Sequence, residues 1–92
     1  DRAVAQLTPH QDLEVLELGA TRVTDRAAYH LGQLKSLRRL GLQNTSISDR
    51  SLRHIAQLHN LESLDVSTTQ VTQQGIAWLQ SALPNRRIYR SL

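Results

Sequence analysis

The feature that most constrains this chain is that it matches itself when shifted by 24 residues. In that alignment Leu13 falls on Leu37 and Leu61, Leu16 on Leu40, Leu64 and Ile88, and Leu18 on Leu42 and Val66. Thr21, Thr45 and Thr69 coincide, as do Val23, Ile47 and Val71, and so do Leu31, Ile55 and Leu79. A fixed period of this length marks a repeat architecture. Each unit is one supersecondary element that cannot bury its apolar face until a neighbour stacks on it.

The apolar spacing changes inside the unit. Leu40 and Leu42 are two apart, a strand period, whereas Leu52, Ile55 and Leu58 are three apart, a helical one. Each unit is therefore expected to be a short strand, a turn and a helix. Thr24, Ser48 and Thr72 stand where helix N-caps are needed, and Asp25 and Asp49 follow in the first turn, where the helix dipole favours negative charge. Aromatic residues make up only 3% of the chain and Phe is absent, so the core has to be aliphatic. Like layers touching only their neighbours can be built from such side chains.

The pattern L-x-x-L-x-L-x-x-T-x-[VI]-[TS]-D, read from Leu37 to Asp49, resembles the leucine-rich repeat family, and within it the 24-residue bacterial variety with Thr at the ladder position. The resemblance extends over essentially the whole chain. It implies an α/β solenoid with a short parallel concave sheet of three or four strands, helices on the convex side, and recognition of proteins on the concave face. Thr21, Thr45 and Thr69 take the ladder position, where a hydroxyl is expected to bond the backbone of the neighbouring coil. One domain spans 1–92. It divides into a partial repeat 1–12, repeats 13–36, 37–60 and 61–84, and a closing segment 85–92.

The two ends differ. Residues 1–12 match the helical half of a unit, with Val4 and Leu7 on the buried column and Pro9-His10 ending the helix early. A chain that enters in mid-coil is expected to be an excised piece, with further repeats or another domain ahead of Asp1. At the other end Leu83-Pro84-Asn85 breaks the last helix, Arg87-Ile88-Tyr89 reads as a final strand, and Tyr89 and Leu92 are expected to help cover it. An uncovered solenoid end exposes apolar surface and a strand edge, which allows homo-oligomerisation.

Several chemistries are excluded. The chain has no Cys, so it forms no disulfide, thiolate nucleophile or Cys-based zinc site. Gly-rich phosphate loops, HExxH, paired catalytic carboxylates and a Ser-His-Asp arrangement are all missing, and no enzyme activity or cofactor is expected. His30 and His54 share a helix column with Trp78, but no third ligand accompanies them. No apolar run approaches the roughly 18 residues of a membrane span, and nothing assigns a compartment. The net charge is +3, with no acidic residue after Asp65 and with Arg86, Arg87 and Arg90 gathered near the end. That cluster is too sparse for a dedicated nucleic-acid surface.

The candidate binding residues lie between the strand leucines. One outward column holds Val15, Arg39, Ser63 and Arg87, and the next holds Glu17, Gly41, Asp65 and Tyr89, with Gln43 beside them. They form either a solvated sheet in which Arg39 pairs with Glu17 and Asp65, or a polar binding surface anchored by Arg39 and Tyr89. The function expected first is a non-enzymatic scaffold that binds a protein partner, or a neighbouring domain of its parent chain, through the concave sheet. Alternatives are a structural spacer or oligomerisation module, and an accessory domain fused to an enzyme or electron-transfer protein.

Overall fold

The computed structural model describes residues 12–91, so the expectations for Val4, Leu7, Pro9, His10 and Leu92 lie outside the described residues. Four three-residue strands, β1 (Val15–Glu17), β2 (Arg39–Gly41), β3 (Ser63–Asp65) and β4 (Arg87–Tyr89), form one sheet in the order β1-β2-β3-β4. All pairings are parallel, and the register sets Leu16 beside Leu40, Leu40 beside Leu64 and Leu64 beside Ile88. The middle residue of each strand turns toward the core, and Leu40 and Leu64 are buried. Backbone bonds carry the ladder past the strand ends, from the Leu18 N–H to the Gly41 carbonyl (2.8 Å) and from the Leu42 N–H to the Asp65 carbonyl (2.8 Å).

On the other side of the core lie the helices. A 3-10 turn (Asp25–Ala27) runs into α1 (Ala28–Leu31), followed in later coils by α2 (Asp49–Ile55) and α3 (Gln73–Ala82). The three expected caps act as such. Thr24 accepts from the Arg26 N–H, Ser48 from the Arg50 N–H and Thr72 from the Gly75 N–H. Leu31, Ile55 and Leu79 are fully buried in one helix column, with Leu34 and Leu58 behind the first two. The core contains no aromatic side chain among the described residues.

Each of the first three strands leaves the sheet through a left-handed residue at one repeat position: Ala20 (φ 59°), Asn44 (φ 57°) and Thr68 (φ 54°). The turn brings the following Thr back over its own strand. Thr21 donates to the Leu18 carbonyl (2.7 Å), Thr45 to that of Leu42 (2.7 Å) and Thr69 to that of Val66 (2.6 Å). These bonds stay inside one coil, which corrects the expectation that they reach the neighbour. The neighbour's backbone groups are already occupied by the ladder.

At the helix entries, carboxylates do bond the neighbouring coil. The Asp25 carboxylate accepts from the Ser48 N–H (2.8 Å), the Ser48 hydroxyl (2.6 Å) and the Ser51 hydroxyl of the next coil. Asp49 repeats the motif on the Thr72 N–H and hydroxyl. Partial burial works against the Asp25 charge, but the bonds from Ser48 and Ser51 and the nearby Arg50 charge outweigh it and hold the carboxyl below its ordinary value of 3.8.

Two stability predictions follow from this geometry. Asp25→Asn is expected to cost roughly 1–2 kcal/mol at neutral pH, the scale of lost hydrogen bonds to a charged group. Because folding lowers the Asp25 pKa, its contribution is present above about pH 4 and is lost as pH falls through the folded value. Urea melts should therefore show the gap between wild type and variant shrinking at about pH 3, and a gap independent of pH would refute the assignment. Thr68 is the only β-branched residue among the three left-handed strand exits. Thr68→Asn is expected to stabilise the fold by roughly 0.5–1 kcal/mol, read as a higher melting temperature.

Candidate functional site: the open face of the sheet

Because the strand leucines turn inward, their neighbours form the face opposite the helices. Its first column holds Val15, Arg39, Ser63 and Arg87 on adjacent strands, and its second holds Glu17, Gly41, Asp65 and Tyr89. A shallow depression of about 240 Å³ runs across all four strands. A larger open one of about 580 Å³ lies toward the C-terminal end, lined by Arg39, Ser63, Arg87 and Tyr89 with Glu62, Asn85 and Arg86 at its sides. Val15 and Tyr89 are more than half exposed.

The carboxylates of this face are occupied locally. Glu17 accepts from the Gly19 N–H (2.8 Å) and from the Gln43 side-chain amide (2.9 Å). It lies over Gly41, where an added Cβ would stand 2.3 Å from a Glu17 oxygen. Asp65 accepts from the Ser67 N–H two residues on (2.9 Å). The Gln43 amide oxygen is buried without a partner among the described residues. Arg39 consequently pairs with neither acid, contrary to the solvated-sheet expectation. The ion pair found among the described residues joins Arg38 and Glu62 (3.7 Å). Arg39 and Arg87 are both exposed and make no side-chain hydrogen bond or ion pair to described residues.

The arginine cluster near the end divides by role. The Arg86 guanidinium donates to three carbonyls, those of Leu61 (2.8 Å), Pro84 (2.7 Å) and His59. Arg90 donates to the Val71 carbonyl (2.9 Å). These two bind the last coil to the one before it, and Arg87 alone of the three projects freely from the sheet.

On the helix side, Tyr29, which the repeat pattern did not single out, packs edge-on against His30 (5.5 Å) and His54 (6.2 Å). Trp78 borders a separate shallow groove of about 300 Å³ with Asp49, Leu52, Arg53 and Gly75. Among the described residues no three His, Cys, Asp or Glu side chains gather where they could hold a metal ion, and no helix is long and apolar enough to cross a membrane.

The family model described as Zer-1-like leucine-rich repeats matches residues 4–83. The chain belongs to the leucine-rich repeat family. Among solved structures, a leucine-rich repeat protein of Leptospira interrogans superposes with a TM-score of 0.55 at 20% identity, over 91% of this chain. This leucine-rich repeat chain spans 27% of the length of that protein, and the likeness is one of fold. No curated protein matches it. Membership in the leucine-rich repeat family points to a protein–protein interaction module and to a non-enzymatic type of repeat domain.

Two neighbouring arginines provide a test of this partition of roles. Arg86→Ala should destabilise the fold by roughly 1–3 kcal/mol because three carbonyls lose their donors, and Arg86→Lys should not restore it because an ammonium lacks the planar fork. Arg87→Ala should leave the melting temperature within the usual scatter of surface substitutions, about 0.5 kcal/mol. Equal losses at both positions in thermal melts would show the division to be wrong.

Proposed function

We propose that this chain is a non-enzymatic scaffold module that binds a protein partner, or a neighbouring domain of its parent chain, through the open, concave face of its sheet. The observation that carries this reading is the contrast among polar groups on that face. Glu17 and Asp65 are satisfied within the fold, whereas Arg39 and Arg87 are exposed without partners among the described residues and border an open depression beside Tyr89. Arg and Tyr are the residue types enriched at binding hot spots. Val15, Glu17, Gln43, Ser63 and Asp65 complete the proposed surface. Among the described residues the face carries four three-residue strands, few for a standard interface of about 800 Å² per partner, and weak binding is expected. The 24-residue period and the Thr ladder favour the bacterial variety of the repeat, and the division into repeats 13–36, 37–60 and 61–84 with a closing segment 85–92 follows the same period.

A second reading has one observation of its own. Ile88 is partly buried on β4, an edge strand of the described sheet, and this favours an oligomerisation surface there. The two readings predict different products when a photoreactive side chain is placed at Ser63 on the sheet and, as a control, at Gln80 on the exposed side of α3. Irradiation in extract of the source cells should give protein adducts from Ser63 that excess unmodified chain competes away, and none from Gln80. Adducts from Gln80 alone, or only the chain crosslinked to itself, would reject the concave-face reading.

A further inference from the structure

Building on the concave-face reading, we infer that the partner element is an acidic, extended peptide segment lying across the strands along the column of Val15, Arg39, Ser63 and Arg87. Four observations converge on this chemistry. The column contains no acidic residue, while both acids of the face, Glu17 and Asp65, stand in the adjacent column and are tied to loop residues, Glu17 to Gly19 and Gln43 and Asp65 to Ser67. Arg39 and Arg87 lie two strands apart with Ser63 between them, and neither guanidinium is bonded to any of the described residues. Beyond Asp65 the sequence has no acidic residue, so nothing in the last coil offsets Arg87. The depression of about 580 Å³ connects these residues and Tyr89 in a single open surface.

The spacing suits an extended chain. Strands in a sheet are about 4.8 Å apart, which puts the Arg39 and Arg87 backbones about 9.6 Å from each other. An extended peptide rises about 3.3 Å per residue, so two carboxylates separated by one or two residues fall within reach of two flexible arginines. Each guanidinium presents a planar fork that takes a carboxylate through two parallel hydrogen bonds. Ser63, partly buried midway between them, offers one further hydroxyl, and the exposed Tyr89 ring offers a flat side on which the segment can rest. Nucleic acid is the other polyanion to consider. The face disfavours it because Glu17, Glu62 and Asp65 flank the column and would meet a continuous phosphate backbone, and because no aromatic platform recurs from strand to strand. A peptide can place its few carboxylates on the arginines alone.

The test uses the chain as it stands, with a fluorescein-labelled peptide of alternating Glu and Ser, the same peptide with Gln for Glu, and an oligothymidylate of similar charge. Fluorescence anisotropy is read at low ionic strength and again at about 150 mM, where the Debye length is about 8 Å. The acidic peptide should bind at least about tenfold more tightly than its Gln counterpart and weaken with salt, as expected for charge-assisted contacts. Arg39→Gln and Arg87→Gln should each raise its Kd roughly five- to tenfold, short of the hot-spot scale because both guanidinium groups are exposed to solvent. Arg53→Gln, an exposed change on α2 away from the sheet, should leave Kd unaltered and so separates site-specific binding from net charge. Unchanged melting temperatures of the Arg39 and Arg87 variants would show that they fold normally. The inference is overturned by equal binding of both peptides, by an Arg53 effect as large as that of Arg39, or by tighter binding of the oligothymidylate that depends on the same two arginines. If the Ser63 photo-adducts form while the acidic peptide shows no preference, the partner chemistry is wrong and the binding face stands. If neither occurs, the face itself is wrong.

Discussion

Parallel pairing of one coil on the next is the constraint from which the rest of the structure follows. A three-residue strand with a single inward leucine has no independent stability, since it can neither bury that side chain nor satisfy its backbone alone. Stacked at the strand spacing, each coil covers the leucines of the one before and accepts its backbone bonds. The fixed spacing forces every equivalent residue into a column. Leu31, Ile55 and Leu79 become one continuous apolar wall, and Arg39, Ser63 and Arg87 become neighbours on the open side although the chain separates them by a full turn each.

Equivalent positions nonetheless perform unequal work, and the inequality starts from small changes of side chain. Ala27, Ser51 and Gly75 share a column. Ser51 has a hydroxyl and adds a third donor to the Asp25 carboxylate. At Gly75 there is no side chain, and a Cβ there would stand 2.2 Å from an Asp49 oxygen, so the Asp49 carboxylate occupies that space and keeps only its bonds to Thr72. Asp25 is the more enclosed of the two acids and Asp49 is exposed, which makes the first link between coils stronger than the second, because solvent screens the second.

What could be read from the sequence was whatever repeats. The period specifies strand, turn and helix, the inward leucines, the N-caps and the register, because each of these recurs at a fixed offset and depends on side-chain type alone. The direction of a hydroxyl is not periodic information. The period places Thr21, Thr45 and Thr69 but not their acceptors, since these depend on the left-handed turn just before them, and Ala20, Asn44 and Thr68 have no common side chain to announce it. Arg86, Arg87 and Arg90 look alike as a charge cluster. Only the path of the preceding coil reveals that carbonyls of His59, Leu61 and Val71 lie under two of them. Tyr29 has no aromatic counterpart at Arg53 or Ala77, so a search by period passes over it.

The charge of the open face illustrates how local geometry can override column pairing. Arg39 stands one strand away from both Glu17 and Asp65 but one pleat out of line with each, a diagonal relation of about 7–8 Å in a sheet. An exposed ion pair across that distance is worth roughly 0.2–1 kcal/mol at best, and side-chain ordering offsets part of it. Against this, Glu17 has two donors within 2.9 Å and Asp65 has a backbone N–H at 2.9 Å, all supplied by turns that the fold has already ordered. A hydrogen bond to a charged group whose donor is pre-positioned outweighs a flexible pair in water. The acids therefore go to the loops and the arginines are left to solvent. The polarity that this face offers a partner is thus set by the turns after β1, β2 and β3, outside the strand columns where the charges themselves reside.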